Sequence, residues 1–143
     1  MTIAVDFDGT IVENRYPEIG EERPFATETL RMLISERYKI ILWTVREGRH
    51  LEEAIAWCHE RGIEFYAVNK DYPEEKMENN NHYSRKIKAD MFIDDRNIGG
   101  LPGWGEIYRM IHEKKSYEDI IAERQHTSFS DKNSKRKKHW WNF

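Results

Sequence analysis

Cysteine is almost missing from this sequence: Cys58 is the single one in 143 residues. That excludes an internal disulfide framework and any zinc site built from several cysteines. Long apolar runs are missing too, and none approaches the roughly 20 residues needed to span a bilayer, so no membrane partner is expected. The first strand-like segment begins at Thr2, which predicts that no secretory leader precedes it. There are no internal repeats. The expectation is a cytoplasmic protein that depends on its core, and the length suffices for one such core but not two.

A basic surplus is also lacking, since the net charge is −3. That figure hides an asymmetry. Residues 131–143 hold five bases (Lys132, Lys135, Arg136, Lys137, Lys138) and one acid (Asp131), a net +4, while the other 18 bases and 25 acids give −7. A nucleic-acid-binding domain carries its positive charge on a folded face, so an acidic body with a basic tail disfavours nucleic acid as a partner. The organisation read from this pattern is a catalytic domain over 1–125 and a basic, mobile tail over 126–143.

Within the body, apolar runs alternate with helical patterns. Thr2 to Phe7, Lys39 to Thr44, Phe65 to Val68 and Met91 to Ile93 read as strands. They are apolar throughout rather than alternating, which marks burial on both faces and so a parallel sheet covered by helices. Phe25 to Arg37, following Pro24, places Ala26, Leu30, Leu33 and Ile34 on one helical face. Leu51, Ile55 and Cys58 form a second stripe that stops at Gly62, a C-terminal cap. Residues 104–113 and 116–125 read as two more helices, with Ser116 and Asp119 as a capping box. The polar stretch Asn69 to Arg85 reads as a loop.

Ligands of a parallel sheet bind beyond the carboxyl ends of its strands. Strand one ends in Asp6-Phe7-Asp8-Gly9-Thr10, strand two in Thr44-Val45-Arg46 and strand four in Asp94-Asp95. Four carboxylates would share one crevice. Two like charges about 4 Å apart repel by roughly 4 kcal/mol at an effective dielectric of 20, so the cluster calls for a cation. Hard oxygen ligands without His or Cys favour Mg²⁺. A lone Asp-x-Asp is ordinarily a solvated turn, and it is the coincidence of all these groups at strand ends that points to chemistry.

The ordered set of DFDGT, a strand ending in Thr44, a lysine cluster and Asp94-Asp95 resembles the haloacid dehalogenase (HAD) superfamily of phosphohydrolases, from Thr2 to about Trp104. It is most similar to that superfamily's small phage and bacterial hydrolases. The resemblance implies a Rossmann-like, three-layer α/β/α fold around a parallel sheet. It also implies a phosphatase in which Asp6 is the nucleophile that takes up phosphate and Asp8 the general acid and then base. Thr44 would bind the phosphoryl oxygens, with backbone N–H groups near Phe7, Asp8 and Val45 assisting, and Lys86 or Lys88, with Lys86 favoured, would balance the charge. Asp6, Asp8 through its carbonyl oxygen, and Asp94 would hold Mg²⁺, with Asp95 a ligand or its neighbour. Arg46 departs from the pattern and reads either as a further substrate contact or as a salt bridge to Glu13 or Glu47.

Neither Gly9 to Pro24 nor Asn69 to Arg85 is long enough for a separate core, so no cap domain is expected, only a short flap around Tyr16 and Glu18. The open site would admit a macromolecular phosphate ester, or a small one if a second subunit covers it. Two other readings stand beside the enzyme. One is a phosphoacceptor signalling module like a bacterial receiver domain, in which the acidic pair would come first and the phosphorylated Asp mid-chain. The other is a non-catalytic binding domain working through the basic aromatic tail.

Overall fold

The computed structural model describes residues 1–75 and 86–127. Four parallel strands, β1 (Thr2–Val5), β4 (Lys39–Leu42), β5 (Ala67–Val68) and β6 (Met91–Ile93), form one sheet in the order β5-β4-β1-β6. With its helices this is an α/β fold. Between β1 and β4 lie a two-stranded antiparallel hairpin, β2 (Val12–Arg15) and β3 (Glu18–Glu22), and helix α1 (Ala26–Ser35). Helix α2 (Gly48–Glu60) connects β4 to β5.

Register explains why the strands read as unbroken apolar runs. Ala4 pairs with Ile41 and Phe92, and Ile41 with Ala67, so the period of two puts these four on one face. Ile87 packs there with the partly buried Trp43, Tyr66 and Ala89. Ile3, Val5, Ile40, Leu42 and Ile93 fall on the other face, and all are buried. Both faces are therefore dry, as the continuous runs require.

The helix ends follow local chemistry. Phe25 and Arg37 both take left-handed backbone conformations, at φ 66° and 70°, so they lie just outside α1 rather than within it. The Glu22 carboxylate accepts the Thr27 N–H at 2.8 Å and the Thr27 hydroxyl as well, satisfying donors of the first turn. Helix α2 ends as the sequence predicts. Gly62, at φ 78°, donates its N–H to His59 O and Ile63 donates to Cys58 O, both at 3.0 Å, which is the double closure of a Schellman cap.

The chain divides into two compact units, Met1–Gly105 and Glu106–Phe143. Helix α3 (Trp104–Glu113) is followed by helical residues 117–127, here α4. Within the second unit Arg109 bridges Glu113 at 3.1 Å and Glu123 at 2.8 Å, and Lys115 pairs with the same two acids. The capping box is present and reciprocal, with Ser116 N–H donating to Asp119 at 2.9 Å and Asp119 N–H to Ser116 Oγ at 3.2 Å. The second half of the expected 69–85 loop and nearly all of the basic tail lie outside the described residues. Among the described residues, no helix is long and apolar enough to cross a membrane.

Candidate active site

β1 is flanked by β4 on one side and β6 on the other, so the chain reverses its direction of travel across the sheet at β1. A crevice opens at such a reversal, at the carboxyl ends of the strands. Asp6 is the first residue beyond β1, and its N–H donates to Ile93 O at 3.0 Å, locking it beside the end of β6. Carboxylate oxygens of Asp6, Asp94 and Asp95 lie within 4.8 Å of one another. Three of the four expected carboxylates are thus brought together.

Thr10 organises this cluster and was not assigned a role from the sequence, although it closes the DFDGT run. Its hydroxyl lies 3.0 Å from Asp6 Oδ2 and 3.2 Å from Asp95 Oδ1, and it accepts the Asp95 N–H at 3.0 Å. One hydroxyl hydrogen therefore serves two carboxylates, and Thr10 itself is fully buried. The Thr10 carbonyl accepts the Trp104 indole N–H at 2.9 Å. Gly9, at φ 83°, makes room for the arrangement: a Cβ there would stand 2.3 Å from Asp95 Oδ2. Only a glycine supplies both that backbone conformation and that clearance.

Burial, the neighbouring Asp94 charge and contact with Asp95 push the Asp6 carboxyl up to about 7, against the downward pull of Thr10 and the Phe7 N–H. Removing water and crowding carboxylates both penalise the anion. A divalent cation would offset the repulsion between these carboxylates, and carboxylate oxygens are hard donors of the kind Mg²⁺ accepts. The residues present fit the ion.

Asp8 points elsewhere. Both its oxygens accept from Arg46, Oδ2 from Nε and Oδ1 from Nη2, each at 2.7 Å. The remaining guanidinium donors are filled by carbonyls: Nη1 donates to Pro17 O at 3.1 Å and His50 O at 3.2 Å, and Nη2 to Glu18 O at 2.9 Å. Arg46 lies between the rings of Phe7 and Tyr16, at 5.2 and 5.1 Å, and is 1% exposed. This corrects the expectations for Arg46. Its salt-bridge partner is Asp8, not Glu13 or Glu47, and no N–H remains to meet a substrate. Arg46 is a buried hub tying the Asp8 loop to the hairpin tip and to α2.

Thr44 sits beyond β4, its N–H held by Asn69 Oδ1 at 2.8 Å and its hydroxyl oxygen accepting the Arg46 N–H at 3.1 Å. Asn69, in a left-handed conformation at φ 54°, is a second contributor the sequence reading missed. The lysines are not brought in. Lys86 and Lys88 are exposed on either side of buried Ile87. The Lys86 ammonium lies over the Phe92 ring at 5.0 Å, and the Lys88 N–H donates to Asp71 at 2.6 Å. Among the described residues neither lysine pairs with Asp6, Asp94 or Asp95.

Comparison with known proteins adds a relative. A solved structure of a conserved protein from Bacteroides thetaiotaomicron is 65% identical to this chain, with a TM-score of 0.77, over 84% of this chain and 96% of that one. The chain belongs to the family of that conserved protein. No protein-family model and no curated protein matches it.

Proposed function

We propose that the protein is a Mg²⁺-dependent phosphate monoester hydrolase of the haloacid dehalogenase type, with a Rossmann-like three-layer fold and no cap domain. The observation that carries this reading is the convergence of Asp6, Asp94 and Asp95 at the ends of two adjacent parallel strands. Asp6, Asp94, Asp95 and the Asp8 carbonyl would hold the ion, which supplies neutralising charge to the phosphoryl oxygens and to the attacking carboxylate.

The chain's own groups then divide the work. Thr10 holds Asp6 Oδ2, leaving Oδ1 to attack phosphorus in line and form a phosphoaspartate. The Thr44 hydroxyl, already accepting from Arg46 N–H, donates its hydrogen to a phosphoryl oxygen, with the Phe7, Asp8 and Val45 amides beside it. Asp8 delivers a proton to the leaving oxygen and then takes one from water. That task requires a side-chain rotation that frees one Asp8 oxygen from Arg46. The balancing lysine would be Lys86, swung across from its place over the Phe92 ring, or Lys88. The proposed setting is cytoplasmic, which suits a lone buried thiol, and a second subunit would cover the open site.

Hydrolysis of p-nitrophenyl phosphate tests the reading: turnover should require Mg²⁺, and Asp6→Asn should lower it by about three orders of magnitude or more with the fold intact. Full turnover in excess chelator would overturn it. One observation favours a second reading, the phosphoacceptor module: with both Asp8 oxygens engaged, a phosphoaspartate would lack a base and persist. Acid-stable turnover intermediates lasting minutes rather than being consumed would favour that alternative.

A further inference from the structure

Asp8 and Arg46 form a closed unit. Asp8 Oδ2 accepts from Arg46 Nε and Oδ1 from Nη2, both at 2.7 Å. The other three guanidinium N–H groups go to Pro17 O, His50 O and Glu18 O. The guanidinium lies between the rings of Phe7 and Tyr16, and its side chain is fully buried. Solvent does not reach it, so nothing there takes the place of Asp8 if the carboxylate turns away.

That geometry penalises one step and not another. Turning an Asp8 oxygen to a leaving group breaks a charge-assisted bond and leaves a buried N–H without a partner. A step that waits on the turn slows by about tenfold to a hundredfold, the rate equivalent of one such bond. A step that needs no proton escapes the penalty. In the first half-reaction Asp6 Oδ1 bonds to phosphorus, and the bond from phosphorus to the leaving oxygen breaks with its electron pair kept on that oxygen. An acyl phosphate then releases a carboxylate and an aryl phosphate a phenolate, whereas an alkyl ester would release an alkoxide. The second half-reaction is common to all substrates: water adds its oxygen to phosphorus, Asp6 departs as carboxylate, and both protons of the water stay with phosphate.

Resting on the hydrolase reading above, we propose that the Arg46–Asp8 pair sets leaving-group specificity. The preferred substrates are phosphoryl donors whose leaving oxygen departs as a stable anion, acyl and aryl phosphates, over alkyl phosphate esters. Arg46 acts here as a positioning residue, through Asp8.

The experiment measures kcat/KM on the full chain with Mg²⁺ for para-substituted phenyl phosphates, from nitro to methyl. These esters are close in shape, and their phenols span a wide range of acidity. In the native chain kcat/KM should fall by about thirtyfold or more from nitro to methyl, because proton delivery is impeded. Asp8→Asn should lower every member by one common factor, whereas a freely working acid would make the loss grow toward methyl. Arg46→Gln should release Asp8 and flatten the native spread, and if it fails to fold the native and Asp8→Asn series decide alone. A native spread within about threefold overturns the proposal and leaves the hydrolase standing, as does an Asp8→Asn loss that grows toward methyl. A folded Arg46→Gln with the native spread also overturns it. Acetyl phosphate and ethyl phosphate are tested in parallel for stoichiometric phosphorylation of Asp6, read by mass spectrometry against Asp6→Asn. No turnover, with Asp6 phosphorylated by acetyl phosphate and not by ethyl phosphate, overturns the hydrolase and supports the leaving-group rule. Neither turnover nor phosphorylation overturns both.

Discussion

Arg46 and Asp8 form a bidentate pair, 38 residues apart in the chain, with two bonds of 2.7 Å and side-chain exposures of 0% and 11%. Planar guanidinium and planar carboxylate match edge to edge, which makes this the strongest form of a side-chain ion pair. Because Arg46 also bonds Pro17 O, Glu18 O and His50 O, the pair couples four segments around the crevice.

Replacing Arg46 with Met should therefore cost about 3–5 kcal/mol, since it leaves a largely buried carboxylate unpaired along with three carbonyls. Arg46→Lys should recover only a small part, because an ammonium cannot make the fork. Urea unfolding midpoints of the three proteins check this. A loss below about 1 kcal/mol for Arg46→Met would show that the pair is a surface-like interaction.

Stability of the metal-free protein should depend on pH through Asp6. Its carboxyl goes from the ordinary 3.8 in the unfolded chain to about 7 in the folded one. Between those values the folded state keeps a proton that the unfolded state has released. Stability should fall as pH rises from about 4 to about 7 and level off above. Saturating Mg²⁺ should flatten the profile by favouring the anion, and Asp6→Asn should flatten it without metal. Thermal unfolding across pH, in chelator and in Mg²⁺, measures all three curves.

Gly9→Ala should damage the site more than its size suggests. The new Cβ would stand 2.3 Å from Asp95 Oδ2, and φ at 83° strains any residue with a Cβ. The backbone term alone costs about 1–2 kcal/mol. Displacement of Asp95 should also weaken Mg²⁺ binding by tenfold or more, a rough figure for one carboxylate ligand moved. Calorimetric titration of Mg²⁺ separates this from a loss of fold, which circular dichroism reports.

Cys58 should be inert in the folded protein. Burial pushes its thiol up to about 12, with the nearby Arg61 charge pulling the other way and Glu22 adding to the rise. The thiolate is the reactive form, so a disulfide reagent should label Cys58 only as fast as the chain opens. Labelling followed against urea should track global unfolding, and rapid labelling in buffer would place Cys58 on a locally mobile surface.

Local pattern and spacing determined a great deal here. The unbroken apolar runs of Ile3–Val5 and Ile40–Leu42 announce strands buried on both faces. The Gly62 cap and the Ser116–Asp119 box are legible because each is made within a few residues of chain. The convergence of Asp6 with Asp94 and Asp95 follows from placing acids just past parallel strands that share an edge. The β2–β3 hairpin was legible only as a flap, since just 4–5 mostly exposed residues form each strand.

Tertiary structure decided the partners. Arg46 could have met Glu13, Glu47 or a ligand, and its choice of Asp8 depends on how the hairpin tip and the start of α2 present their carbonyls. Thr10 bridges Asp6 and Asp95, and Asn69 holds Thr44, through contacts spanning 25 or 85 residues of sequence. Hydrophobic periodicity and capping are properties of neighbouring residues, so the sequence carries them openly. The direction in which one polar side chain points is set by whichever distant donor or acceptor folding brings within 3 Å or so of it, and no local pattern records that.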